Sequence, residues 1–251
     1  MTANPIETLR ERGLLQDHTD EDDLREHLGS GERTFYVGFD PTAASLHVGN
    51  LVGMMTMAWL QRAGHHAIAL AGGATGRIGD PSFQDEERQL MGDEDVAHNL
   101  EGIVADFGRV LDLDRTTVVD NYEWTREMTV LDFLRDIGKH FSVNQLISRE
   151  SVRRRLEDRE QGISYTEFSY ALLQALDYDH LYAHHGCTLQ AGGSDQWGNI
   201  VAGVDLIRRR HGARVYALTW LLVQGSGGKK VSKWAGNAAS PNPCPASSCA
   251  L

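Results

Sequence analysis

The segment TFYVGFDPTAASLHVGNLVGMMTMAWLQRAGHHAIALAGGATG, residues 34–76, decides the fold. Thr34–Asp40 is an apolar run of strand length. Leu46–Ala63 repeats apolar residues at helical spacing over a wide face, and residues 65–76 form a second apolar run that ends in glycines. Strand, helix and strand in that order make a βαβ unit, with parallel strands and a right-handed crossover. TTVVDN (116–121), CTLQAGG (187–193) and RVYALTW (214–220) read as further strands, each separated from the next by helical sequence. The alternation predicts an α/β fold, a Rossmann-like doubly wound parallel sheet.

Ligands of such sheets bind at the carboxyl ends of the strands, near the point where strand order reverses. VGFDPT (37–42), GGATGRIGDPS (72–82) and GGSDQWGN (192–199) fall at those ends. Their glycines fit neither the G-x-G-x-x-G dinucleotide fingerprint nor the G-x-x-x-x-G-K-[ST] phosphate loop, which argues against a dehydrogenase or a P-loop NTPase. The 251 residues can bury a sizeable core without disulfides. Three scattered cysteines, a charged N-terminus and no apolar run of spanning length predict a cytoplasmic protein that does not enter a membrane. A net charge of −11 argues against nucleic-acid binding by bulk electrostatics. The basic runs Arg153–Arg155 and Arg208–Arg210 read as solvated helix faces rather than phosphate tracks.

Four local patterns carry chemistry. A helix that starts near His47 offers free backbone N–H groups and a positive dipole end to an anion. His47 and Asn50, three residues apart, can face the same ligand, although taken alone a cap plus an incidental surface His is the better reading. In SYTEFSYALLQALDYDHLY (164–182) the helical period puts Tyr170, Gln174 and Asp177 on one face, either as a solvent stripe or as a pocket for an amine and a hydrogen-bonding group. Asp195 and Gln196 sit in a glycine-rich turn after a strand, placed for ribose hydroxyls, for an ammonium group or for capping. GSGGKKVSKWAGN (225–237) is either a cationic loop able to close over a polyphosphate or a flexible tail.

Taken in order, these pieces resemble the bacterial tyrosyl-tRNA synthetases, class I enzymes. YVGFDPTAASLHVGN carries the family's His-x-Gly-His signature in its Asn variant, and KVSKW resembles its Lys-Met-Ser-Lys-Ser signature. GGATGRIGDPS, HFSVNQL, GISYTEFSYALLQALD and GGSDQWGNI match family blocks, and the likeness runs from about Leu14 to Asn237. The resemblance implies that the chain activates L-tyrosine with ATP to tyrosyl-adenylate and passes tyrosine to the 3′ end of tRNA(Tyr). Tyr36 and Asp177 would bind the substrate phenol, and Asp80, Tyr170 and Gln174 the α-ammonium group. Phenylalanine would leave Tyr36 and Asp177 unpaired, and this enzyme class is itself the standing example of rejection by that means. Gly38, Asp40, Thr42, Gly193, Asp195 and Gln196 would line the adenylate site. His47, Asn50, Lys230 and Lys233 would be catalytic, facing the phosphates together with the Mg²⁺ that accompanies ATP; no protein-bound metal is expected. The apolar stretch from Phe133 to Leu146, which by pattern alone could be core or interface, would belong to a homodimer.

The expected organisation is a helical segment over residues 1–33, a catalytic domain over 34–237 with a helical insertion at roughly 93–164, and an aberrant or disordered tail over 238–251. Trp234 replaces a small hydroxylic residue of the family motif. The tail resembles nothing in the family, whose anticodon-binding and RNA-binding domains are expected to be absent, so tRNA binding would be weakened. The alternative reading is a catalytically impaired remnant that binds tyrosine and ATP without charging tRNA.

Overall fold

In the computed structural model, which describes residues 4–41, 48–80, 92–149, 152–153, 156 and 163–222, five strands form one sheet. They are β1 (Thr34–Phe39), β2 (His66–Ala71), β3 (Thr116–Asp120), β4 (Cys187–Gly193) and β5 (Tyr216–Trp220). Their order is β3-β2-β1-β4-β5, and every pairing is parallel. Each run that the sequence marks as a strand is one. The helices are α1 (Pro5–Glu11), α2 (Glu21–Gly29), α3 (Val48–Arg62), α4 (Asp93–Phe107), α5 (Tyr165–His185) and α6 (Trp197–His211), with shorter turns between them.

The two faces of the sheet are covered by different helices. Phe35, Val37 and Phe39 alternate to one side of β1, where Ile6 and Leu9 of α1, Leu24 of α2, Met57 of α3 and Phe107 of α4 complete a core. Tyr36, Ile68 and Leu70 face the other way, under Tyr178 and Leu181 of α5 and Ile207 of α6. Strands buried on both faces need no alternation of polar residues, which is why they read as continuous apolar runs. The first two helices therefore share the main core with the sheet. The described part of 93–164 supplies edge strand β3 as well as helices.

Local chemistry fixes the helix ends. Asn4 caps α1 through the Ile6 N–H with proline at the first turn, and Ser164 caps α5 through the Glu167 N–H. Gly186 and Gly212 end α5 and α6 at φ of 62° and 64°, the left-handed conformation that favours glycine. Helices α5 and α6 pack through Ala175, Leu176, Ala202 and Leu206. Gly203 makes this approach close, since a Cβ there would lie 2.8 Å from Tyr178.

The arginines at the end of α6 are engaged within the protein. Arg208 pairs with Asp205, Arg209 donates to the His140 carbonyl and to Gln145, and Arg210 pairs with the buried Asp179. Among the described residues no helix is long and apolar enough to cross a membrane.

Candidate active site

Strand order reverses between β1 and β4, and the polar groups converge beyond the carboxyl ends of those strands, as the topology demands. Asp40 follows β1. Its Oδ1 accepts from the Thr75 hydroxyl at 3.1 Å and its Oδ2 from the Tyr170 hydroxyl at 3.4 Å. Gly72 lets these groups meet, because a Cβ there would stand 2.5 Å from Thr75 Oγ1 and 2.6 Å from Asp40 Oδ1. Next to it, the Gly73 N–H donates to Asp120 Oδ1 at 3.1 Å, where a Cβ would approach to 2.1 Å.

Asn121 joins three elements. Its Oδ1 accepts from the Ala74 N–H at 2.7 Å, and its Nδ2 donates to Thr75 Oγ1 at 3.1 Å and to Asp177 Oδ2 at 2.9 Å. The indole N–H of Trp124, on a single helical turn after β3, donates to Asp177 Oδ1 at 3.0 Å. Asp177 is thus held by one donor on each oxygen. Burial nevertheless pushes its carboxyl up to about 7 against the pull of those two bonds, and the nearby Asp40 and Asp120 add to the rise.

Tyr36 lies on the same face of the sheet, 1% exposed. Its hydroxyl is buried and has no hydrogen-bond partner among the described residues, and burial together with the Asp177 charge raises its pKa well above the ordinary phenol value. A buried hydroxyl left unbonded costs about 1–3 kcal/mol, a cost shared here by the buried His65 Nε2 and Gln190 Oε1. Gly38, two residues on, is exposed although it sits in the central strand, so the surface above it is open.

A second group lies across the reversal point. Gln196 Nε2 donates to Asp80 Oδ2, while Asn199 Nδ2 reaches Asp80 Oδ1 at 3.5 Å and Gln196 Oε1 at 3.3 Å. Gly193 ends β4, where a Cβ would stand 2.6 Å from Asp195 Oδ1 and 2.7 Å from Leu222.

The structure brings Tyr36, Asp40, Tyr170 and Asp177 together, and Asp80 with Gln196. The stripe on α5 faces inward, with Tyr170 and Asp177 buried and Gln174 half-buried, so it is not a solvent face. Asn50 stands half-buried on the first turn of α3. Thr42, His47, Lys230, Lys233, Trp234 and the tail lie outside the described residues. Sequence reasoning missed Thr75, Asn121, Trp124 and Asn199. Asn121 could have been found, since it follows strand β3 directly at its carboxyl end; Trp124 carried no such signal.

Topology and site together define an α/β Rossmann-like domain with its ligand groups at the switch point. The family model described as tRNA synthetases class I (W and Y) matches residues 30–241, and the chain belongs to that family. It is 50% identical over 234 residues to the tyrosine--tRNA ligase of Desulfatibacillum aliphaticivorans, covering 93% of this chain and 54% of that protein. It is 54% identical over 232 residues to the tyrosine--tRNA ligase of Opitutus terrae, covering 91% and 54%. A crystal structure of a C-terminally truncated mitochondrial tyrosyl-tRNA synthetase of Aspergillus nidulans matches with a TM-score of 0.80 at 29% identity, over 93% of this chain and 73% of that one. The chain spans about half the length of the curated relatives it matches.

Proposed function

We propose that this chain carries the tyrosine-activating site of a tyrosine--tRNA ligase. The observation that carries the reading is the unpartnered Tyr36 hydroxyl beside the doubly held Asp177. A substrate phenol donates its proton to the Asp177 carboxylate and accepts from the Tyr36 hydroxyl, which leaves no polar group unpaired. Phenylalanine satisfies neither. The substrate's ammonium group is met by Asp80, Tyr170 and Gln174, with Asp40 adding negative charge nearby.

The substrate carboxylate then attacks the α-phosphorus of ATP, forming the mixed anhydride of tyrosyl-adenylate, while the α–β bond breaks and pyrophosphate leaves. A carboxylate is already ionised at neutral pH, so no general base is required and the protein's task is positioning and charge stabilisation. Gly38, Asp40, Thr42, Gly193, Asp195 and Gln196 line the adenylate. His47 and Asn50 donate to the phosphates, and Lys230 and Lys233 neutralise pyrophosphate with the Mg²⁺ that enters with ATP. The 3′ end of tRNA(Tyr) accepts the tyrosyl group in a second step, in the cytoplasm. On this reading residues 34–237 are the catalytic unit, 1–33 lead into it, and 238–251 take no part in the chemistry.

Tyrosine-dependent exchange of labelled pyrophosphate into ATP by the purified chain tests the proposal. Exchange with tyrosine and not with phenylalanine is expected; exchange driven by another amino acid, or no tyrosine binding at all, refutes it. The partner in solution is a second copy of the chain. Val130 and Leu131 are 74% and 77% exposed, and Leu134, Val143 and Ile147 of the same stretch of sequence are exposed as well, an apolar load that water disfavours. Sedimentation of Leu131→Glu should report a monomer where the parent chain reports a dimer.

A further inference from the structure

His180 lies on α5 three residues after Asp177, so the two side chains share one side of the helix. Its ring stacks on Trp124 with centroids 4.2 Å apart and planes 13° from parallel, the closest approach to coplanar among the described ring pairs. His184 follows on the outer side of His180 at 4.3 Å, and His185 at 6.4 Å. Burial and those two neighbours push the His180 pKa down to about 4, so the ring is neutral at physiological pH. A neutral imidazole stacks on an indole by dispersion and quadrupole attraction. Trp124 also packs, partly buried, against the clusters of Tyr178 and Leu181 and of Ile137 and Ala175, and the His180 ring adds a contact to its flat face. Trp124 sits on a helical turn of four residues, Tyr122–Thr125, which has too few internal hydrogen bonds to fix a side chain by itself.

We propose that His180 is a positioning residue for recognition of the substrate phenol, acting through Trp124: the stacked imidazole sets the angle at which the indole N–H meets Asp177. The inference rests on the reading of Asp177 as the phenol receptor and extends it to a residue outside the pocket. With the ring removed, the indole gains freedom, its bond to Asp177 Oδ1 weakens, and the carboxylate is free to turn away from the phenol. On this proposal the change is confined to the tyrosine side, and the ATP side of the site is unaffected.

Three variants of the full chain test this. His180→Ala removes the ring, His180→Asn keeps polarity without the flat ring, and His180→Phe keeps a flat ring. The first readout is the indole N–H resonance of Trp124, assigned with Trp124→Phe and recorded without substrate. It should shift away from its hydrogen-bonded position in the Ala and Asn variants and return in the Phe variant. The second is pyrophosphate exchange, where the KM for tyrosine should rise about fivefold in the Ala and Asn variants, the scale of one lost aromatic pair, with the KM for ATP unchanged. The Phe variant should restore the tyrosine KM. An unmoved resonance in the Ala variant, or an equal displacement in the Phe variant, overturns the inference. Because the resonance is read without tyrosine, the inference is decided even if the parent chain shows no exchange, an outcome that would count against the functional reading alone.

Discussion

Replacing Asp177 by Asn should change how stability depends on pH. The carboxyl titrates near 7 in the folded protein and near 3.8 when unfolded, so the native state binds this proton more tightly. The resulting stability is fully present below the unfolded value and is lost as pH rises through the folded one. Integrated between about pH 5 and about pH 8, a group shifted this far contributes roughly 2–3 kcal/mol that disappears over the interval. In Asp177→Asn nothing titrates at this position. The amide also turns an N–H₂ toward Asn121 or Trp124, which are both donors, but that penalty is an offset independent of pH. Urea unfolding of both proteins at several pH values across the interval measures the difference, with other titrating groups cancelling to first order. The parent chain should lose about 2–3 kcal/mol relative to the variant as pH rises. Parallel stability curves would refute the argument that burial outweighs the two donors.

Tyr36→Phe removes the unbonded buried hydroxyl, so the free protein should gain about 1 kcal/mol in thermal or chemical unfolding while tyrosine affinity in calorimetry falls about tenfold. Gly73→Ala drives a methyl into Asp120 Oδ1 and displaces the Gly73–Asp120 bond, with an expected cost of about 1–3 kcal/mol in urea unfolding. Asp179 accepts from Arg210 and, at 2.9 Å, from His211. Asp179→Ala removes the carboxylate from the exposed Arg210 and from His211, and unfolding should show a loss of about 1 kcal/mol with no change in substrate affinity.

The sheet was legible because its strands are sandwiched between helices. Val37, Ala69, Leu189 and Leu218 all meet apolar neighbours, and such runs stand out against the polar helices around them. The α5 stripe was legible as a face, but its direction was not: periodicity says that Tyr170 and Asp177 point the same way, and only packing says that the way is inward. Asn121 and Trp124 illustrate what a single chain hides. They reach Asp177 across 56 and 53 residues of sequence, from a turn too short to have a period. Arg208, Arg209 and Arg210 make the same point on the surface. Written together they look like one charged patch, yet each bonds to a different partner.

The lone Tyr36 hydroxyl has a consequence for the amount of protein a cell keeps. An unsatisfied receptor makes the empty form the weaker one, and whatever fills it adds stability by mass action, about 2.7 kcal/mol when present at a hundred times its dissociation constant. On the proposed function, scarcity of the amino acid enlarges the unfolded fraction that proteases remove. The pocket that selects the substrate would then also tie the enzyme's lifetime to the substrate's supply.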